Sequence, residues 1–344
     1  MHRRSTLTGV ALFIITAASV LLTRDACAQT KLRMVLDWKY QAQMGVFFLA
    51  ADRGYYKAEN LDVAFDQGEG AGAAAPKIVS GSYDMGFGSI DSVVMLNAQR
   101  PADAPVAVFL MYGRAPFVIA VKSDSPIKTP KDLEGKTIGG PANDGALKLF
   151  PAFAAATGID ASKVTITNMA PNLRAQMLMR GQIDAAFSFR TAMFMDAKLM
   201  GADPTKDLRF IAYEDHGLDL YSNAIIVSRK LVQENPAAVR GFLRALTRGI
   251  KDAVADPEAA VQSVMKREPL LKLEIERERL GSMFKNDMNA GEAAEIGLGE
   301  VVDSRLERTI KMVVNANSLP KTPTAGEVFD RRFLPPLGDR VRKF

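Results

Sequence analysis

Three observations predict an α/β protein of two consecutive lobes, each a parallel sheet flanked by helices. Strand-like and helix-like segments alternate from Lys31 to Phe187, the pattern of sheets with helices on both faces. One phrase recurs at the same place in both halves of that stretch: Ser80-Gly-Ser-Tyr-Asp-Met-Gly-Phe87 and Arg180-Gly-Gln-Ile-Asp-Ala-Ala-Phe187, each a helix end, a glycine cap, an aspartate and a buried strand. The chain has 344 residues, 48% hydrophobic and 24% charged. That is a globular composition, long enough at about 100–200 residues per domain for two cores.

The elements read in order. Lys31 to Leu36 is a strand, followed by an apolar helix around Met44 to Arg53. Leu61 to Phe65 is a second strand, and Gly68-Glu69-Gly70-Ala71-Gly72 leads into a helix closed by Gly81. Met85 to Phe87 is a third strand before the helix Ser89 to Gln99, and Val106 to Met111 a fourth. Phe117 to Val121 opens the second series. Thr129-Pro130 caps a helical turn ending at Gly135, and strands follow at Thr137–Ile138, Val164–Thr167 and Ala185–Phe187. Helices at Gly145 to Thr157 and Leu173 to Arg180 separate them. The C-terminal third is helical. Asn235-Pro236 and Asp256-Pro257 are N-caps followed by Pro at N1, and Val239, Leu243, Leu246, Ile250 and Val254 recur at helical spacing, as does the stretch Leu298 to Asn317. These stripes read as packing that holds the lobes together without chemistry. The alternating charges of Glu274 to Arg279 read as a solvated helix face.

The first residues are set apart. Arg3 and Arg4 precede an uncharged apolar run from Leu7 to Leu22, and Ala26-Cys27-Ala28 forms an A-x-A cleavage site before Gln29. The run is shorter than the roughly 20 residues of a spanning helix. A cleaved secretory signal peptide (1–28) and export to the periplasm are therefore expected. A lipidated Cys27 fits less well, because Arg24 and Asp25 occupy lipobox positions. Without Arg3, Arg4, Arg24 and Asp25 the whole-chain charge of +5 becomes +3, and no clustered Lys/Arg run points to nucleic acid.

Catalytic residue types are scarce in the mature chain: one histidine, His216, and no cysteine. No G-x-S-x-G elbow accompanies His216, and no His/Cys metal set can be assembled, so no catalytic residue, metal or cofactor is expected. Gly135-Lys136-Thr137 lacks the first glycine of a P-loop, Pro130 standing in its place. Gly68-x-Gly70-x-x-Ala73 matches the dinucleotide fingerprint and leaves an NAD-dependent oxidoreductase as a rival from another class. It follows the second strand instead of the first, and glycines freeing the backbone to turn explain it more simply.

Candidate binding residues gather where strands end and helices begin, the position at which open α/β sheets hold ligands. They are Asp37 and Trp38; Gly68, Glu69 and Gly70; Ser89 and Asp91; Asn143 and Asp144; and Phe189 and Arg190. Arg114, Tyr221 and Asn223 join them at the two crossings between lobes, expected near Arg114 to Phe117 and Tyr221 to Ala224. Trp38, the sole tryptophan, follows a charged residue at a strand end and reads as an aromatic wall for a planar ligand. Its alternative is partial burial against the neighbouring helix. Asp37, Asp91 and Asp144, with only Arg114 or Arg190 to offset them, favour a planar, neutral or amine-bearing heterocycle over nitrate or sulfonate.

These residues resemble a known family. Asp37-Trp38-x-x-Gln41, the run Phe47 to Val63 (FFLAADRGYYKAENLDV), Gly68-Glu69-Gly70, Ser80 to Ser89, Thr129 to Gly139 (TPKDLEGKTIG) and Asn235 to Ala245 (NPAAVRGFLRA) are similar to NMT1/THI5-like and SsuA-like periplasmic substrate-binding proteins. The resemblance implies the type II two-lobe periplasmic-binding-protein fold, each lobe a mixed, mostly parallel sheet flanked by helices, and a monomer that delivers a small-molecule ligand to an ABC permease in the inner membrane. It implies a lean toward a thiamine-precursor-like pyrimidine, with an alkanesulfonate, taurine or nitrate as the alternative. Lobe 1 would span 29–115 plus about 222–344, including the helical tail, and lobe 2 would span 116–221. Pyrimidine-binding relatives carry D-W-x-x-N-x-x-H, where this chain has Gln41 and Met44. Fungal enzymes of the family use a histidine and a cysteine cluster that this chain lacks, so the resemblance points to binding without catalysis.

Overall fold

The computed structural model describes residues 28–288 and 291–344; the segment read as a signal peptide lies, apart from Ala28, outside the described residues. Among the described residues, ten strands form two five-stranded sheets. The first contains β1 (Thr30–Val35), β2 (Leu61–Asp66), β3 (Met85–Ser89), β4 (Val106–Leu110) and β10 (Asn223–Val227), in the order β2-β1-β3-β10-β4. The second contains β5 (Phe117–Lys122), β6 (Thr137–Gly140), β7 (Thr165–Asn168), β8 (Ala185–Phe189) and β9 (Leu208–Ala212), in the order β7-β6-β8-β5-β9.

Both sheets are built alike. β1 pairs in parallel with β2 and β3, as β6 does with β7 and β8. The fourth strand of each order, β10 or β5, runs antiparallel to both neighbours. In each sheet this is the strand by which the chain enters from the other sheet. The mixed α/β fold class is thus present. β9 and β10 carry no separate sequence signal, because five apolar-rich residues beside a crossing show no period that marks them as strand.

The recurring phrase has a structural reason. Gly81 and Gly181 close their helices at φ +76° and +68°, where a side chain would be strained. Asp84 then accepts the backbone N–H of Arg33 on Oδ2 at 2.8 Å, tying β3 to β1. Asp184 accepts the N–H of Thr137 at 2.8 Å and ties β8 to β6. In both lobes the aspartate just before a strand bonds a backbone N–H of its parallel neighbour, which explains why it recurs there.

The C-terminal helices cover the first sheet. Asn235 and Asp256 cap the helices Pro236–Ala255 and Pro257–Met265 through the N–H groups of Ala238 and Ala259. Val239, Leu243, Leu246 and Ile250 are buried against the helix Gly45–Asp52 and its surroundings, whereas Val254 is half-buried. Gly249 permits this approach, since a Cβ there would stand 2.6 Å from that of Ala50. The helix Leu273–Ser282 departs from the solvated-face reading. Glu276 and Arg279 are each 1% exposed, because this helix bridges the loop after β1 and the helix Arg190–Leu199 behind the second sheet. No described helix is long and apolar enough to cross a membrane.

Candidate functional site

Strand ends of both sheets meet the helix Leu273–Ser282 around one cavity of about 560 Å3, its open mouth included. Asp37, Trp38 and Gly70 line it from the first sheet; Asp144, Arg174 and Phe189 line it from the second; Arg279, Met283 and Asp287 close it from the C-terminal helices.

Local backbone bonds fix the first wall. Gly68 N–H donates to the Trp38 carbonyl at 3.0 Å and Gly70 N–H to that of Asp37 at 2.9 Å, so the glycine loop clasps the Asp-Trp pair. No side chain fits at Gly68, where a Cβ would lie 1.9 Å from the Leu36 oxygen. The loop also touches the opposite lobe: Gly72 N–H donates to the Asn143 carbonyl at 3.0 Å. The glycine motif thus serves close backbone approach.

Two buried guanidiniums dominate the chemistry. Arg174, 1% exposed, donates from Nη1 to Asp144 Oδ2 at 3.1 Å and to the Phe187 carbonyl at 3.3 Å, and lies 5.3 Å from the Trp38 ring centroid. Asp144 is held in turn by the N–H groups of Ala146 and Leu147 on Oδ1. Arg279, also 1% exposed, donates from Nε to Glu276 Oε1 at 3.3 Å, while Glu276 Oε2 accepts the Ala42 N–H at 2.7 Å. Asp196 stands between the two, 3.6 Å from Arg174 Nη2 and 4.0 Å from Arg279 Nη2. Arg174 Nε and Nη2, both terminal nitrogens of Arg279, the Trp38 Nε1 and Asp37 Oδ1 have no hydrogen-bond partner within the protein. Other buried polar atoms share that lack, among them the Asp91 carboxylate, the Tyr56 hydroxyl and Arg305 Nε; these six differ in that their residues line the cavity.

The sequence pattern of the NMT1/THI5 like family matches residues 41–260, more than half of the chain. The chain belongs to the NMT1/THI5-like family. Among its relatives, the riboflavin-binding protein RibY of Chloroflexus aurantiacus is 28% identical over 85% of this chain and 83% of its own length. The 4-amino-5-hydroxymethyl-2-methylpyrimidine phosphate synthase of Aspergillus parasiticus is 23% identical over 75% of this chain and 78% of its own. Among solved structures, the alkanesulfonate-binding protein SsuA of Xanthomonas axonopodis pv. citri bound to MOPS superposes with a TM-score of 0.68. It is 18% identical, covering 89% of this chain and all of that one, and shows the shared two-lobe periplasmic-binding-protein fold.

Within this NMT1/THI5-like frame, Asp37, Trp38, Gly70, Asp144 and Phe189 reach the cavity wall. Asn223 stands behind it, donating from Nδ2 to Asp37 Oδ2 at 2.6 Å; Gly68 and Asn143 shape the loops. The remaining candidates lie elsewhere. Gln41 and Met44, at the positions of the family's D-W-x-x-N-x-x-H, are buried outside the lining. Glu69 is exposed. Ser89 and Asp91 are buried at the start of the helix Ile90–Gln99, away from the wall. The Tyr221 hydroxyl is committed to Glu292 at 2.6 Å and to the Val302 N–H at 2.9 Å. Arg114 is half exposed and 3.6 Å from Glu214, and Arg190 lies over the Phe210 ring. The charge balance drawn from Arg114 and Arg190 is therefore corrected: Arg174 and Arg279 are the cavity's arginines. The reading of the helical third as free of chemistry is corrected likewise by Arg279, Met283 and Asp287, the last two on a π-helical turn, Met283–Met288. His216 sits against the Phe153 ring, 5.6 Å between centroids.

Burial raises the cavity acids. The Asp37 carboxyl is pushed up to about 7 by desolvation, against the Asn223 hydrogen bond. Asp287 is pushed up to about 8 by burial and by the nearby charges of Asp37 and Glu214, with Arg114 and Arg190 opposing. Asp144 is raised by burial, with Arg174 opposing. A raised carboxyl favours the protonated folded state, so its contribution is complete below the ordinary carboxylate range and is lost as pH rises through 7 to 8. The urea midpoint of the free protein is expected to fall between pH 5 and pH 8.5, and Asp287→Asn should flatten that fall. A midpoint that rises over the interval would contradict this.

The cavity also predicts a division of effects. Trp38→Ala and Asp37→Asn are each expected to weaken ligand binding by about tenfold to a hundredfold, the range for a lost buried polar or aromatic partner. Asp37→Asn should change free-protein stability less, whereas Trp38, 7% exposed within the first sheet's core, also packs, and its truncation should cost about 3–5 kcal/mol of stability as well. Trp38→Ala that binds normally while melting several degrees lower would make Trp38 a packing residue only.

Proposed function

We propose that this protein is the solute-binding component of an ABC importer, exported to the periplasm behind a cleaved signal peptide and acting as a monomer. It captures a planar N-heterocycle between two lobes, 29–115 with about 222–344 and 116–221, and delivers it to an inner-membrane permease without chemistry. One observation carries the reading: Trp38, Arg174 and Arg279 converge on a cavity between two sheets with donors unsatisfied by the protein. Riboflavin and pyrimidine, the heterocycles in the relatives' names, support the ligand class. A sulfonate is the second reading, favoured by the two buried guanidiniums.

The chain passes between the sheets only through 111–116 and 213–222 among the described residues, which suits hinge closure. Small-angle scattering with and without the retained ligand is expected to show compaction, since ligand shifts the open–closed equilibrium by its differential affinity. An unchanged radius of gyration would count against closure. Calorimetric titration with NAD should show no sub-millimolar binding; such binding would favour the oxidoreductase instead.

A further inference from the structure

Deepening the proposed reading and resting on it, we propose that the cavity selects an uncharged planar heterocycle whose edge combines carbonyl oxygens with a ring N–H, the edge of a pyrimidinedione. Arg174 and Arg279 donate to the carbonyls, and Asp37 Oδ1 accepts the N–H. The argument starts from hydrogen-bond polarity. Arg174 Nε, Arg279 Nη1 and Trp38 Nε1 are donors only, buried without a protein partner, and Arg174 Nη2 and Arg279 Nη2 face Asp196 at 3.6 and 4.0 Å, beyond hydrogen-bond distance. A ligand that fills the cavity must bring acceptors to them. An exocyclic amine would set N–H against N–H and leave buried guanidinium donors unsatisfied, which is unfavourable. In its ionised form Asp37 supplies the complementary acceptor, because Asn223 occupies Oδ2 and leaves Oδ1 free.

Charge separates this edge from an anion. Asp144, Asp196 and Glu276 already stand at 3.1 to 4.0 Å from the two guanidiniums, three carboxyls around two positive charges. A sulfonate or carboxylate would enter a site whose positive charge is compensated before it arrives. A neutral carbonyl takes the same N–H groups without adding charge.

The test uses the mature chain, freed of retained ligand by reversible unfolding and titrated in a calorimeter. The probes are uracil and riboflavin as diones, 4-amino-5-hydroxymethyl-2-methylpyrimidine as the amine, and butanesulfonate as the anion. A dione is expected to bind at least about tenfold more tightly than the amine or the anion, with Arg279→Gln lowering dione affinity about tenfold to a hundredfold. The unmutated protein's preference is the primary readout, so it does not depend on the variant folding. Preference for the amine or the sulfonate would overturn the inference while leaving a solute-binding protein intact. Binding of none of the probes would overturn the inference, and the absence of any retained small molecule in the native protein would remove the underlying reading as well.

Discussion

Arg174→Met is expected to lower folding stability by about 3–5 kcal/mol and to abolish ligand binding. The cost arises from what remains. Asp144, with a side chain 4% exposed, loses the guanidinium 3.1 Å away, and Asp196 loses one of its two positive neighbours. A buried carboxyl without its partner must protonate or draw in water, and either outcome weakens the packing of β8 against the Asp144 turn. The Phe187 carbonyl and the Trp38 ring face lose the same partner. Arg174→Lys should rescue little, because a point ammonium cannot bond Asp144 and Phe187 while keeping two further N–H groups free. Urea unfolding followed through the single tryptophan, Trp38, measures the effect. A loss under about 1 kcal/mol, the range of exposed ion pairs, would show that the pair is not desolvated.

Gly70→Ala should have the second large effect, on affinity more than on folding. Gly70 adopts φ +137° and ψ 147°, a region that costs other residues about 1–3 kcal/mol. That strain is paid in open and closed forms alike. A second penalty exists only when the lobes meet, since a Cβ at Gly70 would lie 2.2 Å from the Asn143 carbonyl oxygen of the other lobe. Ligand affinity is therefore expected to fall about a hundredfold or more, with the scattering profile remaining that of the ligand-free form. Affinity reduced by less than about fivefold, within about 1 kcal/mol, would mean that this contact does not belong to the closed state.

Much of the fold was legible because it rests on local rules. Strand–helix alternation, glycine caps at Gly81 and Gly181, and N-caps at Asn235 and Asp256 all act within a few residues. Strands β9 and β10 were not legible, since their pairing with β5, β3 and β4 is decided by residues about 90 to 140 positions away. The site divides the same way. Asp37, Trp38, Gly70, Asp144 and Phe189 could be read because ligands gather at the ends of parallel strands. Arg279 and Asp287 could not. Alternating charge in Glu274 to Arg279 looks the same whether a helix faces water or a second layer of charged groups, and only the tertiary contacts with Ala42 and Asp196 reveal which. Arg174 was hidden among helix residues for the same reason: the helix was legible, but what Arg174 meets was not.

Native mass spectrometry of the protein purified from its own host tests the central claim most directly. The account predicts one small planar molecule retained per chain and released intact and unmodified on denaturation, with a mature N-terminus at Gln29. A bare protein that binds none of the heterocycles or sulfonates offered to it, or a bound molecule converted to product on incubation, would contradict it.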